Sequence, residues 1–194
     1  MENKNSKALL WFKKNLTIKA ITANAFIAAL YAVITILCAP LSYSFSQFRF
    51  SEALNLLVFF NPTYTIGLTL GCFLANIAST AGPLDLIFGT LATLISCLLM
   101  IGLSKLWKNL FFAGLIPSII NAIVVPLVIY YSCLGTADEI TNLETMYWIM
   151  FGFVFLGEFV TISCVGYPII MSLLKYTKGF SNYILATRNL DFKW

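Results

Sequence analysis

Histidine is absent from the 194 residues, and charged side chains make up only 10% of them. Without imidazole there is no histidine metal site, no histidine-ligated haem and no histidine acid–base catalysis. A soluble domain carries about 25% charged residues, so a soluble fold is excluded. No G-x-x-x-x-G-K-[ST] segment occurs, and the chain therefore has no phosphate-cradling loop of its own. Any ATP-driven work falls to a partner. Cys38, Cys72, Cys97, Cys133 and Cys164 are scattered without C-x-x-C spacing, which reads as small apolar packing rather than a metal or redox centre. No resident cofactor or metal is expected.

What is present is apolar surface. Hydrophobic residues make up 60% of the chain, and its mean hydropathy is +0.88. The pattern predicts an all-α integral membrane protein, a bundle of six transmembrane helices with both termini cytoplasmic. Three regions are expected: a basic interfacial segment over residues 1–16, the membrane domain over 17–175 and a cytoplasmic tail over 176–194. The first apolar run, 18–39, is long enough to span, and no small-residue cleavage site closes a short core, so it reads as a retained span rather than a signal peptide.

The six helices are expected at about 17–38, 51–60, 62–79, 84–103, 110–132 and 145–174. Ser51 is a candidate cap for the second, with Glu52 in its first turn. Asn61-Pro62 ends that short helix. Gly67, Gly71, Ala75 and Ser79 recur every fourth residue on the third helix, a smooth stripe for close packing. Pro117 and Pro126 are expected to bend the fifth. The sixth is longer than the hydrocarbon core needs, which implies tilt or protrusion.

With this arrangement, eleven of the twelve basic residues lie on the side of the termini, and Arg49 alone lies opposite. Lys and Arg mark the cytoplasmic side. The net charge of +4 is therefore a topology signal and not a nucleic-acid footprint.

Polar side chains within apolar spans are costly and mark sites. Arg49, Glu52, Asn76 and Asp85 lie near the outer helix ends, and Asn121 and Glu158 near the middle of spans five and six. They are candidates for one cavity open to the outside. Each has a plainer reading. Arg49 and Glu52 form either an interfacial ion pair or a ligand contact. Asp85 either caps a helix or lines the site, and Asn76 and Asn121 either join helices or bind. Glu158 has no basic residue three or four positions away, so it must be protonated, face water or meet a donor-rich partner. With all four ionised, Arg49, Glu52, Asp85 and Glu158 sum to −2, which favours a cationic or donor-rich ligand over a phosphate or carboxylate. Tyr43, Phe45, Phe48 and Phe50 are either stacking partners for a flat ring or ordinary interface aromatics. On the first span, Ala25 with Ala29 and Ala28 with Ala32 make a flat face fit for a close helix partner, internal or in another subunit.

Three segments carry a resemblance: Gln47-Phe48-Arg49-Phe50-Ser51-Glu52-Ala53-Leu54, Gly82-Pro83-Leu84-Asp85-Leu86-Ile87-Phe88-Gly89-Thr90-Leu91-Ala92-Thr93, and Leu156-Gly157-Glu158. They resemble the QueT family, substrate-binding S components of energy-coupling factor (ECF) transporters linked to uptake of queuosine precursors. The sequence departs from the family pattern at Val58 and Pro126. The resemblance implies a non-enzymatic importer subunit in the bacterial cell membrane. It would bind a deazapurine outside and dock through the first-helix alanines onto a transmembrane scaffold subunit driven by two ATPase subunits. On this reading Glu158 and Glu52 meet the donor edge and an amine of the ligand in unassigned order, and Arg49 orients Glu52 or meets the ring carbonyl. An S component for another vitamin or small cation, a carboxylate-based membrane enzyme and a ligand-free assembly protein are the competing readings.

Overall fold

The computed structural model describes residues 17–43, 48–103, 109–133 and 143–176. Helix α1 is Ile18–Leu37, followed directly by a one-turn α2, Ala39–Ser42. A 3-10 helix covers Phe50–Phe59, and α3 is Tyr64–Asn76. Helix α4 is Asp85–Leu103, its first five residues in π geometry. Helix α5, Leu110–Ala113, leads into α6, Leu115–Cys133. Helix α7, Leu143–Phe159, runs through a π segment, Val160–Gly166, into α8, Tyr167–Tyr176.

Among the described residues there is no strand; they form helices joined by turns and short connections. Four helical stretches are long and apolar enough to cross a membrane: Ile18–Leu37, Asp85–Leu103, Leu110–Ser132 and Thr145–Tyr176. The 3-10 helix and α3 are apolar but shorter. Large apolar side chains stand exposed along the spans, among them Phe26, Leu70, Leu98, Trp148 and Leu156. In water such a surface would aggregate, whereas hydrocarbon solvates it.

Several sequence expectations are corrected. The second helix is 3-10 throughout, and Ser51 lies inside it rather than capping it. Its Oγ lies 2.6 Å from Thr35 Oγ1 on α1, and the residue preceding the helix is Arg49, whose side chain makes no cap bond. Helix α3 begins at Tyr64, two residues after Pro62, because Asn61 folds back. Its Oδ1 accepts from the Thr63 amide at 3.0 Å and the Thr63 hydroxyl at 2.8 Å, a side-chain turn that delays the helix. Pro117 falls in the first turn of α6, where amides lack partners in any case, so only Pro126 is interior. Cys72 and Cys97 are core residues, but Cys164 is exposed, so packing does not account for it. The side chain of Cys133, residues 1–16, Phe45, Gln47, Lys105, Lys108 and residues 177–194 lie outside the described residues.

The small-residue stripe on α3 performs as its spacing predicts. A Cβ on Gly67 would sit 2.5 Å from the Asn24 carbonyl oxygen, and one on Gly71 would sit 2.7 Å from Tyr31 Cβ. Helices α1 and α3 therefore touch backbone to backbone, and Asn24 Oδ1 accepts the Gly67 amide at 2.8 Å. The Thr63 carbonyl four residues before that amide accepts from Ile66 instead, at 3.3 Å. Ala75 continues the stripe and is fully buried. Ser79 lies beyond the helix and turns to Asp85 instead.

The same contact divides the alanine face of α1. Ala28 and Ala32 are buried, with Ala28 against Gly71, while Ala25 and Ala29 point outward. The expected four-alanine docking face is thus two residues wide at the surface.

Gly71→Val should lower stability by about 1–3 kcal/mol through overpacking, read as a fall in apparent melting temperature in detergent. Gly102→Ala is the control. Its Cβ meets nothing within 4 Å, so the melting temperature should hold or rise slightly.

Candidate functional site

A 3-10 helix repeats every three residues, so residues i and i+3 eclipse. This places Arg49, Glu52 and Asn55 on one ridge. Phe50, Ala53, Leu54 and Leu57 fall on other ridges and line an apolar groove of about 540 Å³ shared with α1, the π segment and α8. Phe50 therefore belongs to the groove and not to the charged cluster, contrary to its candidacy as a stacking residue.

The polar ridge is fully enclosed. Arg49 is 3% exposed, and Glu52 and Asn55 are 0% exposed. Arg49 Nη1 lies 4.0 Å from Glu52 Oε1, and Nη2 lies 3.8 Å from Asp85 Oδ2. The guanidinium also stands over the Tyr43 ring, 5.9 Å from its centroid, and the Tyr43 hydroxyl donates to the Ala75 carbonyl at 2.6 Å. The pair is buried within the protein.

Glu52 is surrounded by protein donors. Tyr31 of α1 donates its hydroxyl to Oε1, and Asn55 donates its amide to Oε2. Asp85 is not a cap. Helical geometry starts at Pro83 after Gly82, whose φ of +68° suits only glycine readily. Asp85 therefore lies within the first turn, where an anion is favoured. Its Oδ2 accepts the Ser79 hydroxyl at 2.5 Å, and its backbone carbonyl accepts Asn76 Nδ2 at 3.1 Å. Gly89 makes room for this cluster, since a Cβ there would lie 2.5 Å from Asp85 Oδ1 and 2.8 Å from Asn76 Nδ2.

Asn121 and Glu158 meet across α6 and α7, Nδ2 donating to Oε1 at 3.1 Å. Both are buried, at 3% and 1% exposed. Glu158 Oε2 has no hydrogen-bond partner. The π turn that carries Asp85 packs against α6, the helix whose Asn121 holds Glu158. Arg49, Glu52, Asp85 and Asn76 are joined directly, whereas Asn121 and Glu158 form a separate pair across α6 and α7. Among the described residues no group of three or more His, Cys, Asp or Glu is arranged to hold a metal ion.

Residues 21–175 match the QueT transporter family. The chain belongs to that family. A queuosine precursor transporter QueT from Lactococcus lactis subsp. cremoris (strain MG1363) is 41% identical over 85 residues, covering 43% of this chain and 49% of that protein. The matched stretch thus spans about half the length of this QueT relative. No solved structure matches the chain. Family membership and the apolar spans together make this QueT protein a multi-pass membrane protein of a transporter family.

Sequence reasoning missed Tyr31, Asn55, Thr35 and Asn24. A signal existed for three of them. Asn24, Tyr31 and Thr35 are spaced by seven and four, which aligns them on one face of α1. Asn55 follows Glu52 by three, a spacing that becomes an eclipse only once the helix is 3-10.

Removing the cation leaves two buried carboxylates uncompensated. Arg49→Gln should cost about 3–5 kcal/mol, seen as a large fall in apparent melting temperature. Adding Asp85→Asn to that variant should recover part of the loss, because one of the stranded charges is then gone. Strictly additive losses in the double variant would show that Arg49 and Asp85 are not coupled.

Proposed function

We propose that this chain is the substrate-binding S component of an ECF-type importer, and that it captures a queuosine precursor of the 7-deazaguanine type from outside the bacterial cell. The observation that carries the reading is the buried acidic cluster around Arg49 in a chain of the QueT transporter family. The name of the Lactococcus relative supplies the substrate class. A 7-deazaguanine presents a ring N–H beside an exocyclic amine, an edge that one carboxylate accepts in bidentate fashion. A cluster with one cation and three acids favours such a ligand.

On this reading the chain crosses the membrane six times. The 3-10 helix and α3 are each about 20 Å long, short of a hydrocarbon core of about 30 Å. Seven of the ten 3-10 residues are buried, and irregular backbone is tolerated at membrane depth where protein covers it. Six crossings put both termini, residues 1–16 and the tail 176–194, on the lysine-rich cytoplasmic side. The Arg49 cluster then lies toward the outer side, enclosed by protein. The chain is the capturing subunit and not an enzyme, with ATP hydrolysis in two partner subunits. Ala25 and Ala29 are the outward pair on α1 that a transmembrane scaffold subunit would meet.

Purified protein should be stabilised against heat by 7-deazaguanine precursors and not by unrelated vitamins. At a hundredfold excess over Kd the gain is about 2.7 kcal/mol. Stabilisation by another vitamin class alone would move the substrate assignment. Replacing Ala25 and Ala29 by leucine should abolish co-purification with the scaffold subunit while leaving ligand-dependent stabilisation intact. Retained co-purification and uptake would reduce this face to lipid contact.

A further inference from the structure

Buried polar atoms in folded proteins nearly always have partners, and those without one call for an explanation. Near Arg49, Asn55 Oδ1 and Asn76 Oδ1 have no partner among the described residues and can only accept, and the equally unpartnered Glu158 Oε2 accepts when its carboxyl is ionised. A hydroxyl left alone can rotate toward another acceptor, but a carbonyl or carboxylate oxygen has no such choice. The amide orientations are fixed by their other ends. Asn55 turns Nδ2 to the Glu52 carboxylate, and Asn76 turns Nδ2 to the Asp85 carbonyl. Flipping either would set oxygen against oxygen, so both Oδ1 atoms remain acceptors in want of a donor.

The three atoms are not dispersed. Asn55 reaches Arg49 through Glu52, and Asn76 reaches it through Asp85. Glu158 is held by Asn121 of α6, the helix against which the Asp85 turn packs. The two glutamates differ in kind. Both Glu52 oxygens already receive protein donors, from Tyr31 and from Asn55. Glu158 has one oxygen on Asn121 and the other on nothing.

We propose that Glu158 is the carboxylate that reads the ligand's donor edge, that Asn55 Oδ1 and Asn76 Oδ1 accept its further donors, and that Glu52 belongs to the frame and does not bind ligand. The assignment rests on the deazapurine reading above. It means that specificity lies in donor count: the site demands N–H groups and has lone pairs waiting for them.

The test uses the full-length chain in nanodiscs with two probes, 7-deazaguanine and 7-deazahypoxanthine, the same bicycle without the exocyclic amine. Wild type should prefer the first by a factor on the order of 10 to 100, the worth of one hydrogen bond to a charged acceptor. Equal affinities in wild type would overturn the donor-count rule, whatever any variant does. Glu158→Gln should erase most of that preference. It should leave the melting temperature of the empty protein level or higher, because an unpaired buried charge is gone. Glu52→Gln should lower that melting temperature, because Tyr31 and Asn55 lose a charged partner. An empty Glu158→Gln protein that melts as low as Glu52→Gln would make Glu158 part of the frame and overturn the assignment. A Glu158→Gln protein that keeps the full preference would do the same. An added aminomethyl group on 7-deazaguanine brings another donor and should tighten binding to wild type; no gain would remove Asn55 and Asn76 from the acceptor set. If neither probe binds wild type, the deazapurine reading fails and takes this inference with it. Binding with the preference untouched by Glu158→Gln defeats the inference alone.

Discussion

The guanidinium of Arg49 ties the protein together. It is 3% exposed and lies 4.0 Å from Glu52 and 3.8 Å from Asp85. A charge buried among apolar side chains is costly unless it is paired, so the cation is tolerable only where the carboxylates stand. Those carboxylates come from separate elements, the 3-10 helix and the start of α4. Tyr43 adds its ring from the far end of α2. A buried ion pair is weak grounds for stability, since its desolvation can exceed its attraction. Its retention is better explained by what it does to its neighbours, which is to fix the two acids relative to each other while leaving Glu158 outside the pairing.

That arrangement depends on a contact with no charge at all. Gly67 and Gly71 let α1 and α3 approach until their backbones touch. The approach carries Tyr31 inward to Glu52 and Thr35 to Ser51. A bulkier stripe on α3 would push α1 outward and withdraw the donor that satisfies Glu52. The carboxylate would then be a second half-paired acid, and the distinction between frame and ligand contact would vanish. Small residues in one helix thus decide the chemical role of a side chain in another.

Much of this was legible in the sequence because membrane proteins can hide so little. Apolar runs predict helices at 84–103 and 110–132, and helical stretches lie at Asp85–Leu103 and Leu110–Ser132. Charged residues are so few that Arg49, Glu52, Asp85 and Glu158 stand out by rarity, and all four are buried. Neutral polar residues do not stand out in the same way. Tyr31 on an apolar span reads as an ordinary aromatic until its partner is known. The capping expectations for Ser51 and Asp85 failed for a related reason. Both residue types favour helix starts, but here a tertiary partner, Thr35 or Arg49, outweighs the local bond. The alanine face divided because a repeat every fourth residue marks small side chains without saying which of two neighbouring rows meets the next helix.

What no periodicity reveals is where the helices depart from α geometry, and the acids sit at those departures. Glu52 lies within the 3-10 helix. Asp85 opens the five-residue π turn Asp85–Gly89. Glu158 lies two residues before the π segment Val160–Gly166. Each irregular stretch changes the rotation per residue and so re-aims the side chains at its border relative to the rest of the helix. Such segments have poorer hydrogen-bond geometry and persist mainly where a side chain must point in a direction a regular helix does not offer. A regular α-helix through Phe50–Phe59 would advance 100° per residue. It would set Glu52 about 60° and Asn55 about 120° away from the line of Arg49 that a threefold repeat keeps. The ridge that presents one acid to the cation and one amide to that acid requires the tighter coil. The charged cluster and the irregular backbone are therefore a single feature, the second being the means by which the first is aimed.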